Sequence, residues 1–442
     1  MQAPQFDVAI VGASLAGCAA AQLFARQGFS VALLDKQPDP YFHKPVCTHY
    51  LLSSATPTLE RLGLINALDA EGAIKGNHQV WTPWGWIPHV HKRGIPQHGY
   101  SLSRETLDPL LRRSALAESK VRFFPGYLLK QIEQNPSGQI QGITLQTPQG
   151  GGLTLTARLY VGADGRSSRL AKLAAVPEEK YENNRFMYYR YFRNLPLKTG
   201  DDAQLWMLDP DMAYCFPNPD GITLAAAMID KGHHDSFKKD LAVNLDKFIG
   251  RLPNAPDFSK AEPIGPVHGM YDLSLYVRKA GGNGLAFVGD AALTTDPIAG
   301  AGCGWALQSA EWLVDLVTPA LRALSTREAI QGATREAELE PALQNYATLH
   351  AKNLHSHQKI IARYSTGQRF LTADGALFSL LARNSRFQQW FHAVYSRNIQ
   401  PAMPALLAFK LLYRSLWSNP RTDLTDYNWN SFALTDSEQG SA

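Results

Sequence analysis

An α/β fold built on a parallel sheet, with an inserted β-sheet layer and a helical C-terminal region, is predicted by three segments of this 442-residue chain. Each runs from a short apolar strand into a Gly/Asp-rich turn and then a helix: residues 6–35, 159–169 and 284–313. Strands that alternate with helical patterns pair in parallel, because the crossover helix returns the chain to the same sheet edge.

The first unit starts with the apolar strand Phe6–Val11, which leads into Gly12-Ala13-Ser14-Leu15-Ala16-Gly17 and a helical pattern through Gln27. Gly28 ends that helix, and Ser30–Leu34 reads as a second buried strand ending at Asp35. Strand, glycine turn, helix and strand-tip acid together form a dinucleotide-binding fingerprint. Asp35 lies 23 residues after Gly12, close to the spacing of about 20 expected for a carboxylate that grips ribose hydroxyls. Gly12 permits the tight turn, Gly17 permits close helix–strand packing, and the helix N-terminus offers free N–H groups to pyrophosphate. Ser14 stands where the middle glycine is expected, and its hydroxyl is small and able to hydrogen-bond phosphate.

The second unit is Leu159-Tyr160-Val161-Gly162-Ala163-Asp164-Gly165-Arg166. On its own, Asp164 reads equally as a turn residue or helix N-cap. The third unit opens with Leu285–Val288, closes that strand with Gly289-Asp290, and continues through Pro297, Gly300, Ala301 and Gly302 into a long apolar helix. Glycines here let backbone approach a ligand closely.

In this order and spacing the three motifs resemble those of FAD-dependent monooxygenases of the single-component aromatic hydroxylase type. That superfamily also holds flavin-dependent halogenases and geranylgeranyl reductases. The likeness covers about residues 1–320 and implies a Rossmann-like, para-hydroxybenzoate-hydroxylase-like FAD-binding domain. It implies that Asp35, with Lys36 beside it, holds the adenosine ribose and that Arg104, in Leu102-Ser103-Arg104-Glu105, sits near the pyrophosphate or adenine. It further implies that Asp290 binds the ribityl or phosphate region and that residues 299–302 face the flavin pyrimidine ring. A helix N-terminus there stabilises the negative charge of reduced flavin. The activity so implied is NAD(P)H- and O2-dependent hydroxylation of a largely apolar or aromatic small molecule through a flavin C4a-hydroperoxide, with the nicotinamide donor docking transiently.

Two alternatives share the fold. Trp84-Gly85-Trp86-Ile87-Pro88, with Lys75 before it, echoes the W-x-W-x-I-P signature and lysine of halogenases, which take reduced flavin from a separate reductase. The motif is one residue short and falls early in the chain. Lys44-Pro45-Val46-Cys47 loosely resembles the K-P-C-G-G segment of geranylgeranyl reductases, and His49 beside it is a candidate proton donor. A carrier protein that has lost flavin would lose the Asp-Gly and Gly-Asp motifs, and both are present.

The expected organisation is discontinuous. Residues 1–75, 98–180 and 271–325 form the FAD-binding domain, residues 76–97 and 181–270 a substrate domain, and residues 326–442 a helical C-terminal region. Aromatic residues Trp84, Trp86, Tyr188, Tyr189 and Trp206 are candidates for the substrate pocket, with plain core packing as the alternative for each. His49, Lys75 and Arg190 are the candidate catalytic groups.

Composition fits an ordinary globular enzyme, with 45% hydrophobic and 19% charged residues. The net charge, 43 − 39 = +4, is too small and dispersed to argue for nucleic acid. The four cysteines (Cys18, Cys47, Cys215, Cys303) form no CxxC pair and read as reduced thiols, which points to the cytoplasm. No leader and no apolar run approaching 18 residues are evident. His89-Val90-His91 and His355-Ser356-His357 lack acidic or cysteine partners, so no metal is expected and surface or interface positions are the better reading. Pro404–Trp417 is amphipathic and is expected to dock on the protein's own core rather than on a membrane.

Overall fold

The structure, a computed structural model, describes residues 4–47, 49–297, 300–327, 335–367 and 371–417. The polar stretch Thr435–Ala442, whose composition predicts a frayed end, lies outside them. The sheet at the centre runs in the spatial order Gly281–Gly282, Leu285–Phe287, Gly152–Gly162, Gln5–Val11, Val31–Asp35, Val121–Pro125. Its neighbours are parallel except at the Gly281–Gly282 edge. Val8–Val11 and Val31–Leu34 are buried residue after residue, the pattern of a sheet covered on both faces. The helix Leu15–Arg26 covers one face and packs beneath the long helix Gly302–Arg327. Three strands, Leu128–Gln134, Ile140–Gln146 and the first half of Gly152–Gly162, form the antiparallel meander that the turn residues at 135–138 and 150–152 foreshadow.

A second sheet of seven strands runs in the order Glu262–Met270, Arg185–Arg193, Ile222–Asp230, Met212–Asn218, Ala203–Met207, His78–Thr82, Gly85–Ile87. The strands from 78–87 therefore join those from 185–270, and the one parallel pairing, His78–Thr82 beside Ala203–Met207, is where they meet. Strand residues alternate between two faces. One face (Phe186, Phe192, Trp206, Ala213, Ala225) is covered by the helix Leu241–Gly250 through Leu245, Phe248 and Ile249. The expected β-sheet layer thus carries a helix as well, and its Leu245/Phe248/Ile249 stripe has the helical spacing that identifies it. The other face (Met187, Tyr189, Tyr214, Phe216, Met228) packs on Leu293, Ala301 and Trp305 of the third motif and on Phe378, Leu381 and Phe387 of the C-terminal helices.

One buried ion pair ties this sheet to the third motif. Arg185 Nη2 donates to Asp296 Oδ2 at 2.8 Å, and Asn183 Nδ2 donates to the same oxygen at 2.6 Å. The C-terminal helices are Arg335–Ser365, Thr372–Arg383, Ser385–Tyr395 and Ala405–Trp417. The last docks through buried Leu407 and leaves Leu406 and Phe409 exposed. Among the described residues, no helix is long and apolar enough to cross a membrane.

Candidate functional site

Parallel strands deliver their C-terminal ends to one edge of the sheet, which is where open α/β sheets bind ligands. The three motifs meet there. Gly12 has φ +108, and a Cβ on it would lie 2.3 Å from the Ala163 carbonyl oxygen, so the first and second turns touch through backbone. The Gly17 position is tighter: a Cβ would stand 1.8 Å from the Gly12 oxygen. Gly289 (φ +58) fits against Ala16 and Ala306, which brings the third turn onto the first helix. The Gly289 N–H is held by Ser309 Oγ at 2.9 Å.

The acids behave as ligand-ready caps. Asp35 Oδ2 accepts the Ala13 N–H at 2.7 Å and Oδ1 accepts the Gln37 N–H at 2.8 Å. A carboxylate has about four acceptor positions, so two remain for ribose hydroxyls. Lys36 next to it is exposed. Asp164 Oδ2 caps the short helix that follows, accepting from the N–H groups of Arg169 (2.6 Å) and Leu170 (3.1 Å). Its Oδ1 is buried with no partner, an acceptor suited to a ligand donor. Asp290 pairs with Lys44 Nζ at 2.9 Å, which raises the lysine's pKa. Leu15, Ala16 and Ala301 are buried and line the junction through packing. Gly300 (φ +57) donates its N–H to the carbonyl of Pro297, and Gly302 begins the long helix, where an added Cβ would lie 4.0 Å from Asp290 Oδ1. Ala299 lies outside the described residues. These orphaned acceptors and glycine cradles fit a dinucleotide.

Arg104 is not a free cofactor contact. It is buried, and its guanidinium is committed to Asp108 (2.7 and 2.9 Å) and to Ser14 Oγ (2.8 Å), with Nη1 3.6 Å from Cys47 Sγ and 3.8 Å from Cys303 Sγ. This is where the Ser14 hydroxyl goes: it joins the fingerprint turn to a buried arginine. Arg112, one further helical step along, donates to the Ala13 carbonyl at 2.9 and 3.1 Å and to the carbonyls of Pro40 and Phe42. Sequence reading missed Arg112 and Asp108. The signal was the i, i+4, i+8 spacing of Arg104, Asp108 and Arg112 along the helix Arg104–Leu116.

Beside this network sits His49, buried and in the left-handed region (φ 60). Its Nδ1 accepts the Arg104 backbone N–H at 2.9 Å. A nitrogen that accepts carries no proton, so the proton is on Nε2, which meets the Tyr191 hydroxyl. The Tyr191 ring lies edge-on to Tyr189, whose hydroxyl donates to the Pro45 carbonyl. The Arg104 N–H thus donates to His49 Nδ1, and His49 turns its Nε2–H to the Tyr191 hydroxyl, whose own proton stays available. Burial pushes the His49 pKa down to about 4 and pushes Tyr191 up, so both are neutral near pH 7.

The other candidates lie elsewhere. Tyr188 and Trp206 belong to the opposite face of the seven-stranded sheet, where Tyr188 stacks on Phe237 and the Trp206 indole N–H is held by the Pro253 carbonyl. Trp86 packs edge-on against Trp206 on that same face. All three lie on the face turned away from the third motif; in the strand Arg185–Arg193 the pleat that turns Tyr189 and Tyr191 to one face turns Tyr188 to the other. Arg190 shares the far face and donates to the Gly265 carbonyl. Trp84 is stacked on Phe378 beneath the helix Thr372–Arg383. Lys75 is an exposed lysine bound to Asp69 at 2.8 Å. His357 is buried within the described chain rather than at its surface, and His89 packs against buried His78 and His392. Among the described residues, no group of three or more His, Cys, Asp or Glu could hold a metal ion.

Buried neutral histidines make stability acid-sensitive. His49 falls from 6.5 to about 4, and His350, His357 and His392 to about 3, in each case chiefly through burial. Each folded-state pKa lies below its unfolded value, so the unfolded chain binds more protons and stability rises with pH across that window. The contribution is complete above pH ~6.5 and is lost as pH falls toward 4 and below; for His49 alone it is about 3 kcal/mol. The midpoint of thermal unfolding is therefore expected to fall steeply between pH 6.5 and 4. A flat profile down to pH 4 in a fluorescence-monitored melt contradicts it.

A family model described as "FAD binding domain" matches residues 5–340. The chain is 28% identical over 343 residues to a kynurenine 3-monooxygenase of Salinispora arenicola (strain CNS-205), covering 70% of this chain and 72% of that protein. It is 25% identical over 342 residues to a tryptophan 2-halogenase of Chondromyces crocatus, covering 70% of this chain and 60% of the halogenase. Digeranylgeranylglycerophospholipid reductases are also among the distant relatives. A solved flavoprotein/dehydrogenase from Cytophaga hutchinsonii shares the fold at TM-score 0.72 and 16% identity, covering 89% of this chain and 93% of that one.

Proposed function

The chain belongs to the FAD-binding-domain family and is an FAD-dependent oxidoreductase, and on that premise we propose that it is an NAD(P)H- and O2-dependent monooxygenase of a largely apolar or aromatic small molecule. The observation that carries the reading is the shared apolar layer: Met187, Tyr189 and Tyr214 of the sheet lie in one cluster with Leu293, Ala301 and Trp305 of the third motif. That layer is the natural bed for an apolar ring, beside the proposed cofactor cradle. FAD, when bound, supplies electron transfer from the nicotinamide donor to O2 and delivery of one oxygen atom.

The residues of this chain do the rest. The Gly12–Gly17 turn and the first helix N-terminus receive the pyrophosphate, Asp35 the adenosine ribose, and Asp290 with Asp164 the remaining polar groups of the dinucleotide. The start of the Gly302 helix would favour negative charge on a ring held there. His49 holds its proton on Nε2 and orients the Tyr191 hydroxyl, which is kept protonated and so serves as a donor to a substrate oxygen or nitrogen.

The halogenase reading loses its two tempting features here, since Lys75 is spent on a surface ion pair and Trp86 faces away from the site. The reductase reading keeps one, because Cys47 and His49 lie beside the motifs. The discriminating experiment measures NADH and NADPH oxidation with aromatic candidates under air and under nitrogen. Substrate-stimulated oxidation that requires O2 and gives a product 16 mass units heavier supports the proposal; saturation of an alkene without O2 would replace it by the reductase. In the same assay Tyr191→Phe is expected to leave flavin bound and to lower substrate-stimulated turnover by about 10- to 100-fold, in line with loss of one positioned proton donor. Unchanged turnover contradicts the role given to Tyr191.

A further inference from the structure

Two thiols that no part of the proposed mechanism uses stand together at the centre of this network. Cys47 Sγ and Cys303 Sγ are 3.7 Å apart although the residues are 256 positions apart in sequence. All four cysteines are free. Cys18 and Cys215 are each buried, their pKa pushed up chiefly by burial, to about 12 for Cys18. They are inert by the usual criterion, because the thiolate is the reactive form.

The pair differs from them in three ways. Both sulfurs lie within 3.8 Å of the Arg104 guanidinium, a fixed positive charge. Cys303 is the second residue of the helix Gly302–Arg327, so its sulfur sits at a helix N-terminus, where negative charge is favoured. Cys47 is only partly buried as a residue, whereas Cys303 is buried. Hydrogen bonding from the Cys303 thiol pulls the Cys47 pKa well below its ordinary value, against opposing burial, and Arg104 adds to the pull; the same bond raises Cys303. Cys47 is thus the more acidic of the two thiols.

We propose that Cys47 and Cys303 are a redox-active thiol pair that closes to a disulfide across the candidate site when hydrogen peroxide, the product of O2 reduction that escapes coupling, is present. The Cys47 thiolate attacks one peroxide oxygen, the O–O bond breaks, and Cys47 becomes a sulfenic acid while hydroxide leaves and takes a proton to form water. The Cys303 thiol then attacks that sulfur, the S–O bond breaks, a second water leaves with the Cys303 proton, and the S–S bond forms. Two thiols and one peroxide become one disulfide and two waters. A disulfide needs about 2.05 Å between sulfurs, so the pair must approach by about 3.7 − 2.05, or ~1.7 Å. The bond would staple the Lys44–His49 segment to the start of the long helix, the two pieces of chain that flank Asp290. A thiol reductant reopens it.

The inference does not depend on which reaction the enzyme performs, and its test reads sulfur rather than turnover. The full chain as purified is reduced, freed of reductant and exposed to hydrogen peroxide, and its thiols are then counted in denaturant. The expected count falls from four to two and returns with dithiothreitol, and non-reducing peptide mass spectrometry finds Cys47 linked to Cys303. Cys303→Ser, which cannot close the bond, is expected to show a dimedone-trapped sulfenic acid at Cys47 and at neither Cys18 nor Cys215. Cys215→Ala is the control that still loses two thiols. A count that stays at four, a Cys47 that oxidises no faster than Cys215, or a linkage to any other cysteine overturns the proposal.

Discussion

Gly17→Val is expected to yield no folded flavoprotein. A Cβ at this position stands 1.8 Å from the Gly12 oxygen and 3.2 Å from Ala163 Cβ. Neither neighbour has room to retreat. The Gly12 N–H is bonded to the Leu34 carbonyl at 2.7 Å, and the adjoining Ala13 carbonyl is gripped by Arg112. The obstacle is backbone, not a side chain that can rotate, so the cost exceeds the ~1–3 kcal/mol usual for overpacking and removes the helix–strand contact that shapes the turn. Gly304→Ala is the matched control, because its Cβ would meet Ala55 at 3.6 Å, an ordinary contact. Soluble yield and flavin content of the two variants check this. A Gly17→Val protein that is soluble, yellow and as stable as the parent contradicts the packing described.

The second large effect is expected at Asp108. This carboxylate is 1% exposed, takes two hydrogen bonds from Arg104 and accepts the Lys44 backbone N–H at 2.9 Å. Asp108→Ala strands a buried guanidinium, at a cost of about 3–5 kcal/mol, and loosens the Lys44 segment at the same time. Asp108→Asn keeps an acceptor and is expected to lose less. Urea unfolding followed by tryptophan fluorescence gives both values. A Asp108→Ala change within ~0.5 kcal/mol of the parent sinks the claim that Arg104–Asp108 is a structural hub. The pair also explains how one helix braces the site: Arg104 and Arg112 hold the fingerprint turn from behind, through Ser14 and the Ala13 carbonyl.

Local chemistry made much of this legible from sequence. Gly12, Gly17, Gly289 and the acids after the strands are readable because each answers a local demand: a positive φ, a close approach, a cap. Apolar runs such as Val31–Leu34 announce buried strands for the same reason. What was missed is non-local. Whether Tyr188 or Tyr189 faces the site depends on strand register, and a one-residue difference reverses the face. Both tyrosines lie in one aromatic run, so composition could not choose between them; pairing with Ile222–Asp230 and contact with the third motif do. Likewise the approach of Cys47 to Cys303 follows from how the segment after the second strand folds back onto the long helix, and neither sequence neighbourhood signals the other. Arg104 was read as a cofactor contact because the resemblance implies one; its commitment to Asp108 and Ser14 appears only when the helix is set against the turn.

The central claim is that the three turns ending in Asp35, Asp164 and Asp290 form one FAD site. Its most direct test is a titration of the full chain with FAD, read by the visible absorbance near 450 nm and by quenching of flavin fluorescence, for the parent and for Asp35→Ala, Asp164→Ala and Asp290→Ala. The expected result is one FAD per chain, with each substitution weakening it by about 10-fold or more, the loss of roughly one good polar contact. A colourless parent that takes up no FAD, or three variants that bind it as tightly as the parent, contradicts the account.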